Sequence, residues 1–348
     1  MKGRPTIADV ARAAGVSIAT VSAVLNGRPG RIPDATRGRV LRAAEMLHYR
    51  PNPFARSLKT KRSYTLALVA TDISNPFYPG LAKGIEQAAL SQGYQLIICN
   101  TFGSLEREQD HLLRLRDRQV DGIMLASSIT RHDARYPVDL LKDVKTVLLN
   151  RTIENVKAPV IRMDNVGAGK DVGRYLVSLG YRSIAYIGGP EDRPASADRL
   201  RGLREALDEA GVPLPDGWVR FGDWEREEEG YRHARSVFGA PGPRPRAVFA
   251  GNDILAMGVI RAVKEMGLRV PEDVAVVGFD DRDIAAFSDP RLTTVRYPSV
   301  EMGYHAARIL LDWIERPEVE PPPVVTLGCQ LIVRGSCGGQ AVQRGPTA

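Results

Sequence analysis

The side chains best suited to chemistry in this sequence come in small groups, each directly after a short apolar run. Asp72 is followed by Ser74, Asn75, Phe77 and Tyr78, and Asn150-Arg151 closes the run at 145–149. GGPEDRPASADR supplies Arg193 and Arg199, Trp224 follows 218–221, Asn252-Asp253 follow AVFAG, and Asp280-Asp281 follow VAVVGF. Singly, each is an ordinary helix cap or surface charge, and Asn252 reads most simply as an N-cap. Their recurrence at one structural place points to a site. Aromatic faces at Phe77 and Trp224, with Asn, Asp and Arg between them, suit a hydroxyl-rich ring. Fixed polar groups would hold its hydroxyls and aromatic rings would stack on its C–H faces.

Covalent chemistry is not indicated. There is no nucleophile elbow, no HExxH and no nucleophile–base pair at a known spacing. GAGKDVG at 167–173 opens a helix after a strand, but Val172 occupies the third glycine position of a dinucleotide fingerprint and the Walker spacing is absent. The five histidines lie far apart, and Cys99, Cys329 and Cys337 are too few and scattered for a metal site or a disulfide framework. The expectation is a non-enzyme with no catalytic residues, no metal and no cofactor.

A second kind of chemistry is available at Thr6–Asn26, TIADVARAAGVSIATVSAVLN. Ile7, Val10, Ala11 and Ala14 have the spacing of one buried helix face. Thr6 with Asp9 three residues on approximates a capping box, and Gly15 stops the helix. Ser17 then caps a second helix with Val21, Val24 and Leu25 inward. Its outward face is Ile18, Ala19, Thr20, Ser22, Ala23 and Asn26, short and neutral enough to lie against a phosphate backbone and a groove floor. This is the arrangement of a helix-turn-helix, although spacing alone also fits a plain helical hairpin.

Charge separates these alternatives. Of the 348 residues, 1–62 hold thirteen Lys/Arg against three acids, a net of +10; as the chain carries +7, residues 63–348 sum to −3. A basic terminal arm on a mildly acidic body points to a polyanion, here DNA. The opening MKGRPTIADV has no apolar signal core, and no run of 18 apolar residues follows, so a soluble, reduced, cytoplasmic protein is expected.

The elements that position these groups follow in order. A third helix from about Pro33 to His48, with Val40, Leu41, Ala44 and Leu47 on one face, closes a small core. In RPNPFARSLKTK, residues 50–61, Asn52 can cap, Pro53 can start a helix, and Phe54 and Leu58 then share a face. So short a helix needs a partner in water; a plain linker is the other reading. Apolar wedges beside Arg56, Lys59 and Lys61 are what minor-groove kinking requires. From Tyr64 onward β-rich runs alternate with helical patterns, which implies parallel sheets with helices on both faces. Two doubly wound subdomains dividing near residue 165 would surround one cleft with strand carboxyl ends.

These stretches resemble the lactose-repressor/galactose-repressor family of bacterial transcription regulators, along nearly the whole chain. The resemblance is carried by TIADVARAAGVSIATVSAVLNG, RPNPFARSLK, NPFY, DGI at 121–123 and VFAGNDILAMGVIRAVKEMGLRVPEDVAVVGFDD. It implies an all-α helix-turn-helix domain at 1–50 and a hinge helix at 51–62. The α/β core resembles periplasmic sugar-binding proteins, with one subdomain at 63–164 and 297–324 and the other at 165–296 and 325–348. It implies base contacts from Ile18, Ala19 and Ala23. Phosphate contacts would come from Thr6, Ser17, Thr20, Ser22, Asn26, Arg31 and Thr36, and the minor-groove hinge from Phe54, Ala55, Leu58 and Lys59. Effector contacts would come from Asn75, Phe77, Tyr78, Arg151, Arg199, Trp224, Asn252 and Asp280. The partners implied are operator DNA, a sugar-like effector and a second copy of the chain. Two departures stand out: Ala23 replaces a frequent Arg or His, and Tyr297 a frequent Gln. The tail after Cys337 has no heptads for a tetramer. The competing class is a solute-binding protein that only delivers sugar, which the basic arm disfavours.

Overall fold

The structure, a computed structural model, describes residues 5–25, 32–49, 62–126, 138–153, 155–223 and 226–339, and divides into two compact units, 1–64 and 65–348. Asn26, Arg31, Phe54, Ala55, Leu58, Lys59 and Trp224 lie outside the described residues.

The first unit is three helices, α1 (Ile7–Ala14), α2 (Ile18–Leu25) and α3 (Asp34–Met46). At the start of α1 the Asp9 carboxylate accepts from Thr6 N at 2.9 Å and Thr6 Oγ1 at 2.7 Å. At its end Gly15 sits at φ 62, with Gly15 N donating to Arg12 O and Val16 N to Ala11 O. That pair of bonds is the Schellman stop, which a residue without a Cβ adopts at least cost. Ser17 caps α2, its Oγ accepting from Thr20 N at 3.1 Å. Val10, Ala11, Ala14, Val21, Val24, Val40, Ala43 and Ala44 form the core, with Leu25, Leu47 and Tyr49 packed around it. One expectation is corrected: Leu41 is 49% exposed and Ala43 takes the inner position. Val40, Ala43, Ala44 and Leu47 are spaced i, i+3, i+4, i+7, which leaves Leu41 one step off the buried stripe.

The second unit holds two parallel sheets. The first runs β11-β5-β4-β3-β1-β2, from β1 (Thr65–Ala70), β2 (Gln95–Asn100), β3 (Gly122–Ala126), β4 (Lys145–Leu149), β5 (Val160–Met163) and β11 (Val324–Leu327). The second runs β7-β6-β8-β9, from β6 (Ile184–Gly188), β7 (Val219–Phe221), β8 (Ala247–Ala250) and β9 (Ala275–Val277). Helices α4 (Phe77–Leu90), α5 (Leu105–Asp117) and α11 (Ser299–Glu315) pack with the first sheet. Helices α6 (Asn165–Ser178), α7 (Pro194–Glu209), α8 (Glu227–Gly239) and α9 (Asp253–Glu265) belong with the second, followed by the short α10 (Asp283–Phe287). Strands β10 (Thr294–Arg296) and β12 (Gln330–Ile332) form an antiparallel ribbon where the chain crosses between the sheets.

The sequence reading placed residues from 325 onward in the second subdomain. Instead β11 pairs with β5, from Val324↔Val160 to Leu327↔Met163, so the crossing falls after Leu327. A four-residue edge strand with alternating exposure carries no periodicity that assigns it to one sheet. Among the described residues no single helix is long and apolar enough to cross a membrane.

Candidate functional site

The carboxyl ends of both sheets meet at one cavity of about 150 Å³. The first sheet contributes Asn75, Phe77 and Tyr78 after β1, Ala126 at the end of β3, Asn150 and Arg151 after β4, and Met163 ending β5. The second contributes Arg193 and Arg199 after β6 and Asp280 after β9, and Tyr297 enters from the crossing segment. Placement beyond strand carboxyl ends is what the open α/β topology dictates.

Each side chain is held by a local cause. Asn75 Oδ1 accepts from Phe77 N at 3.0 Å, an Asx turn that ends the loop and starts α4. Phe77 packs edge-on against Tyr78 and Tyr297, at 5.1 and 5.3 Å between centroids, and Tyr297 stacks on Phe279 at 6.2 Å. An aromatic wall therefore runs from α4 across the crossing segment to the second sheet. Arg199 closes that wall, its guanidinium 3.5 Å from the Phe279 ring centroid. Its Nε donates to Asn165 Oδ1 at 3.0 Å and its Nη1 to Gly251 O at 2.5 Å. Both partners are neutral, and the residue is 7% exposed. A buried cation without a carboxylate is costly unless polar contacts or a ligand compensate.

Arg151 is fixed differently. Its Nη1 donates to Glu108 Oε1 at 3.2 Å, and Glu108, on α5, is fully buried. Asn150 and Asp280 are held at φ 55 and φ 109. Side chains other than glycine adopt such angles at a cost, and such positions cluster at binding sites.

Of the effector residues expected from sequence, Asn75, Phe77, Tyr78, Arg151, Arg199 and Asp280 line this cavity. Asn252 does not. It is 3% exposed and caps α9, its Oδ1 accepting from Leu255 N at 2.8 Å, while lining an adjoining cavity of about 420 Å³. Tyr297, singled out in the sequence only as a replacement for Gln, also lines the first cavity, and Glu108, Asn165 and Phe279, which hold Arg151 and Arg199, were not anticipated. Glu108 left one trace: with Leu112 and Leu115 it stands at i, i+4, i+7, an acid in a buried stripe. Met163 and Ala126 were findable as strand-terminal residues.

In the first unit Ile18 is 51% exposed and Ala19 exposed, whereas Ala23 and Ser22 are half-buried. Thr6 precedes α1 and Ser17 precedes α2, both exposed, with Ser17 Oγ 2.9 Å from Thr20 Oγ1. Thr36 is half-buried in the first turn of α3. Helices α1 and α2 thus each begin with a hydroxyl at the N-terminus, the end that favours phosphate, whereas α3 opens on Pro33 and Asp34 and carries its hydroxyl at the third position. Among the described residues there is no cluster of metal-ligating side chains.

A three-helix unit with a groove-compatible helix, and a cleft between two parallel sheets, define a DNA-binding regulator controlled by a small ligand. Family models agree: that of the bacterial regulatory proteins of the lacI family matches residues 6–52, and that of the periplasmic binding protein-like domain matches 174–337. The ribose operon repressor of Escherichia coli (strain K12) is 36% identical over 315 residues, 90% of this chain and 94% of the relative. The HTH-type transcriptional regulator DegA of Bacillus subtilis (strain 168) is 38% identical over 306 residues, 86% and 88% of the two chains. The Lac repressor dimer bound to operator and the anti-inducer ONPF matches with a TM-score of 0.86 and 25% identity, covering 96% and 99% of the chains. The CelR–cellobiose complex matches with a TM-score of 0.71 and 34% identity, covering 96% and 100%. The chain belongs to the lacI family of bacterial regulatory proteins. A protein that merely delivers solute would have no use for residues 6–52.

Proposed function

We propose that the protein is a transcriptional repressor that binds a near-palindromic operator as a homodimer and is controlled by a sugar-like effector in the cleft. The observation that carries this reading is the union in one chain of the capped α1–α2 pair with a cleft walled by Phe77, Tyr297, Arg199 and Asp280. Ile18, Ala19 and Ala23 read base edges, and their apolar character suits thymine methyls better than guanine edges. Thr6, Ser17, Thr20, Ser22, Asn26, Arg31 and Thr36 hold phosphates and fix the register. The hinge at Phe54, Ala55, Leu58 and Lys59 enters the minor groove between half-sites, and Leu58 wedges the central step.

Dimerisation is supported by large apolar side chains left at the surface of both subdomains. On the first, Leu90 is 71% exposed, and Ile98, on the edge strand β2, is 44% exposed. On the second, Phe287 is 85% and Ile284 43% exposed, both on α10. Such surface is what a second copy covers. Effector binding changes the angle between the sheets, and a few kcal/mol of differential affinity between two states suffices to switch DNA binding.

The test is fluorescence anisotropy with DNA from the promoter next to the protein's own gene, against a scrambled duplex of equal length. The expected result is tighter binding to the promoter DNA by about three decades. Equal affinity for both duplexes would overturn the reading.

A further inference from the structure

The cavity that holds the aromatic wall adjoins a larger one of about 420 Å³, and Asn75, Tyr78 and Arg193 line both. The outer chamber is lined by three guanidinium groups, those of Arg193, Arg226 and Arg282, and by one carboxylate, Asp72. Asp72 is already engaged, its Oδ1 accepting from Ser74 N at 3.0 Å. The Arg193 and Arg282 side chains make no ion pair or hydrogen bond with any described residue, and both are half-buried.

That is unlike the arginines around them. Arg296 and Arg334 both reach Asp281 at 2.6 Å, Arg261 pairs with Glu265 on α9, and Arg269 pairs with Asp273 in the loop that follows it. Arg199, at the inner end, also has only neutral partners for its Nε and Nη1, and its Nη2 makes no hydrogen bond within the described residues. A neutral sugar has no need of these charges, because Asn75, Asp280 and Arg199 already supply donors and acceptors for hydroxyls. The guanidinium groups of Arg193 and Arg282, both half-buried and without a carboxylate partner among the described residues, are left to meet an anion, and a planar guanidinium grips carboxylate or phosphate through two parallel bonds.

We propose that the effector is an anionic sugar derivative, a sugar acid or a sugar phosphate. Its ring lies against the aromatic wall, and its acidic group projects into the outer chamber to meet Arg193 and Arg282. This deepens the reading of the cleft as an effector site and rests on it.

The test is calorimetric titration of the full-length protein at pH 7 and fixed ionic strength. Neutral probes are D-glucose, D-galactose, D-ribose and cellobiose. Acid probes are D-gluconate, D-glucuronate and D-galacturonate. Phosphate probes are glucose 6-phosphate and ribose 5-phosphate, with inorganic phosphate and sulfate as controls. One acid or phosphate is expected to bind at least about tenfold tighter than its neutral parent, and the arm in which it falls identifies the anionic group. Arg193→Gln and Arg282→Gln should each shrink that acid-to-neutral ratio by about tenfold, with ligand-free DNA binding retained as the sign of an intact fold. A neutral sugar binding as tightly as its acid and phosphate overturns the proposal and leaves the effector reading standing. Unchanged ratios in both variants, or inorganic phosphate binding as well as any sugar (an adventitious ion only), overturn it in the same way. No binding by any probe contradicts the sugar-effector reading itself, and the proposal with it.

Discussion

Asp253 shows how one buried acid ties the second subdomain to the crossing segment. It is fully buried at the start of α9, and its Oδ1 accepts from Thr294 Oγ1 at 2.5 Å and its Oδ2 from Arg282 N at 2.7 Å. Burial pushes its carboxyl up to about 6, against the opposing pull of those two hydrogen bonds. Because the folded state then holds the proton more tightly than the unfolded chain, stability from this group is greatest at low pH. It is lost as pH rises from about 4 through about 6, by on the order of 3 kcal/mol. Asp253→Asn keeps the shape and removes the titration. Urea unfolding of both proteins between pH 4 and 8 should show the wild type losing stability relative to the variant as pH rises. A pH-independent difference would contradict this assignment. At this scale the sequence was legible for residues that follow a strand, since Asn75, Arg151, Arg199 and Asp280 inherit their place from the topology. Glu108, Asn165 and Phe279 were not legible. They act on Arg151 and Arg199 across separations of 34 residues or more, which only packing of the helices determines.

Among the elements, α6 and α7 explain the glycines of GAGKDVG, whose spacing fits neither a dinucleotide fingerprint nor a Walker loop. Gly169 of GAGKDVG faces the backbone of Arg199, and Gly202 faces that of Val166 and Lys170, so a Cβ at either would overlap main chain. The glycines bring two helices together, and α7 carries Arg199 with it. α4 and α11 cross in the same way through Gly84 and Gly303. Gly169→Ala should cost about 1–3 kcal/mol in stability and weaken effector binding while sparing DNA binding. Thermal unfolding with ligand titration checks this; unaltered ligand affinity would show that the crossing does not place Arg199. The recognition helix poses a different case. Its capping by Ser17 and its buried Val21 and Val24 were readable from spacing, but the methyl groups of Ala19 and Ala23 offer a base no hydrogen-bonding atom. On the proposed reading the hinge then supplies much of the specificity. Leu58→Ala is expected to weaken operator binding while leaving binding to random DNA nearly intact, in paired anisotropy titrations. Equal losses on both would count against the wedge.

For the whole molecule, the division into a basic three-helix unit and an acidic two-sheet core was legible because charge and periodicity both change near residue 64. The path of the last crossing was not, since β11 is too short and too exposed to declare its sheet. The whole-chain charge distribution also makes a quantitative demand: log affinity for DNA should fall with log salt by roughly 0.9 per phosphate contact, and a flat profile would refute the basic-arm argument. The central claim is that ligand in the cleft and DNA on the helices are coupled, a reciprocal free energy between two sites. It is tested most directly by the affinity of wild type and Arg199→Ala for promoter DNA, each without ligand and with a saturating concentration of the sugar that the wild-type cleft binds best. The account predicts equal ligand-free affinities, a change of about tenfold or more on adding ligand to the wild type, and no change in the variant. The same affinity in all four titrations, with ligand demonstrably bound to the wild type, would contradict it.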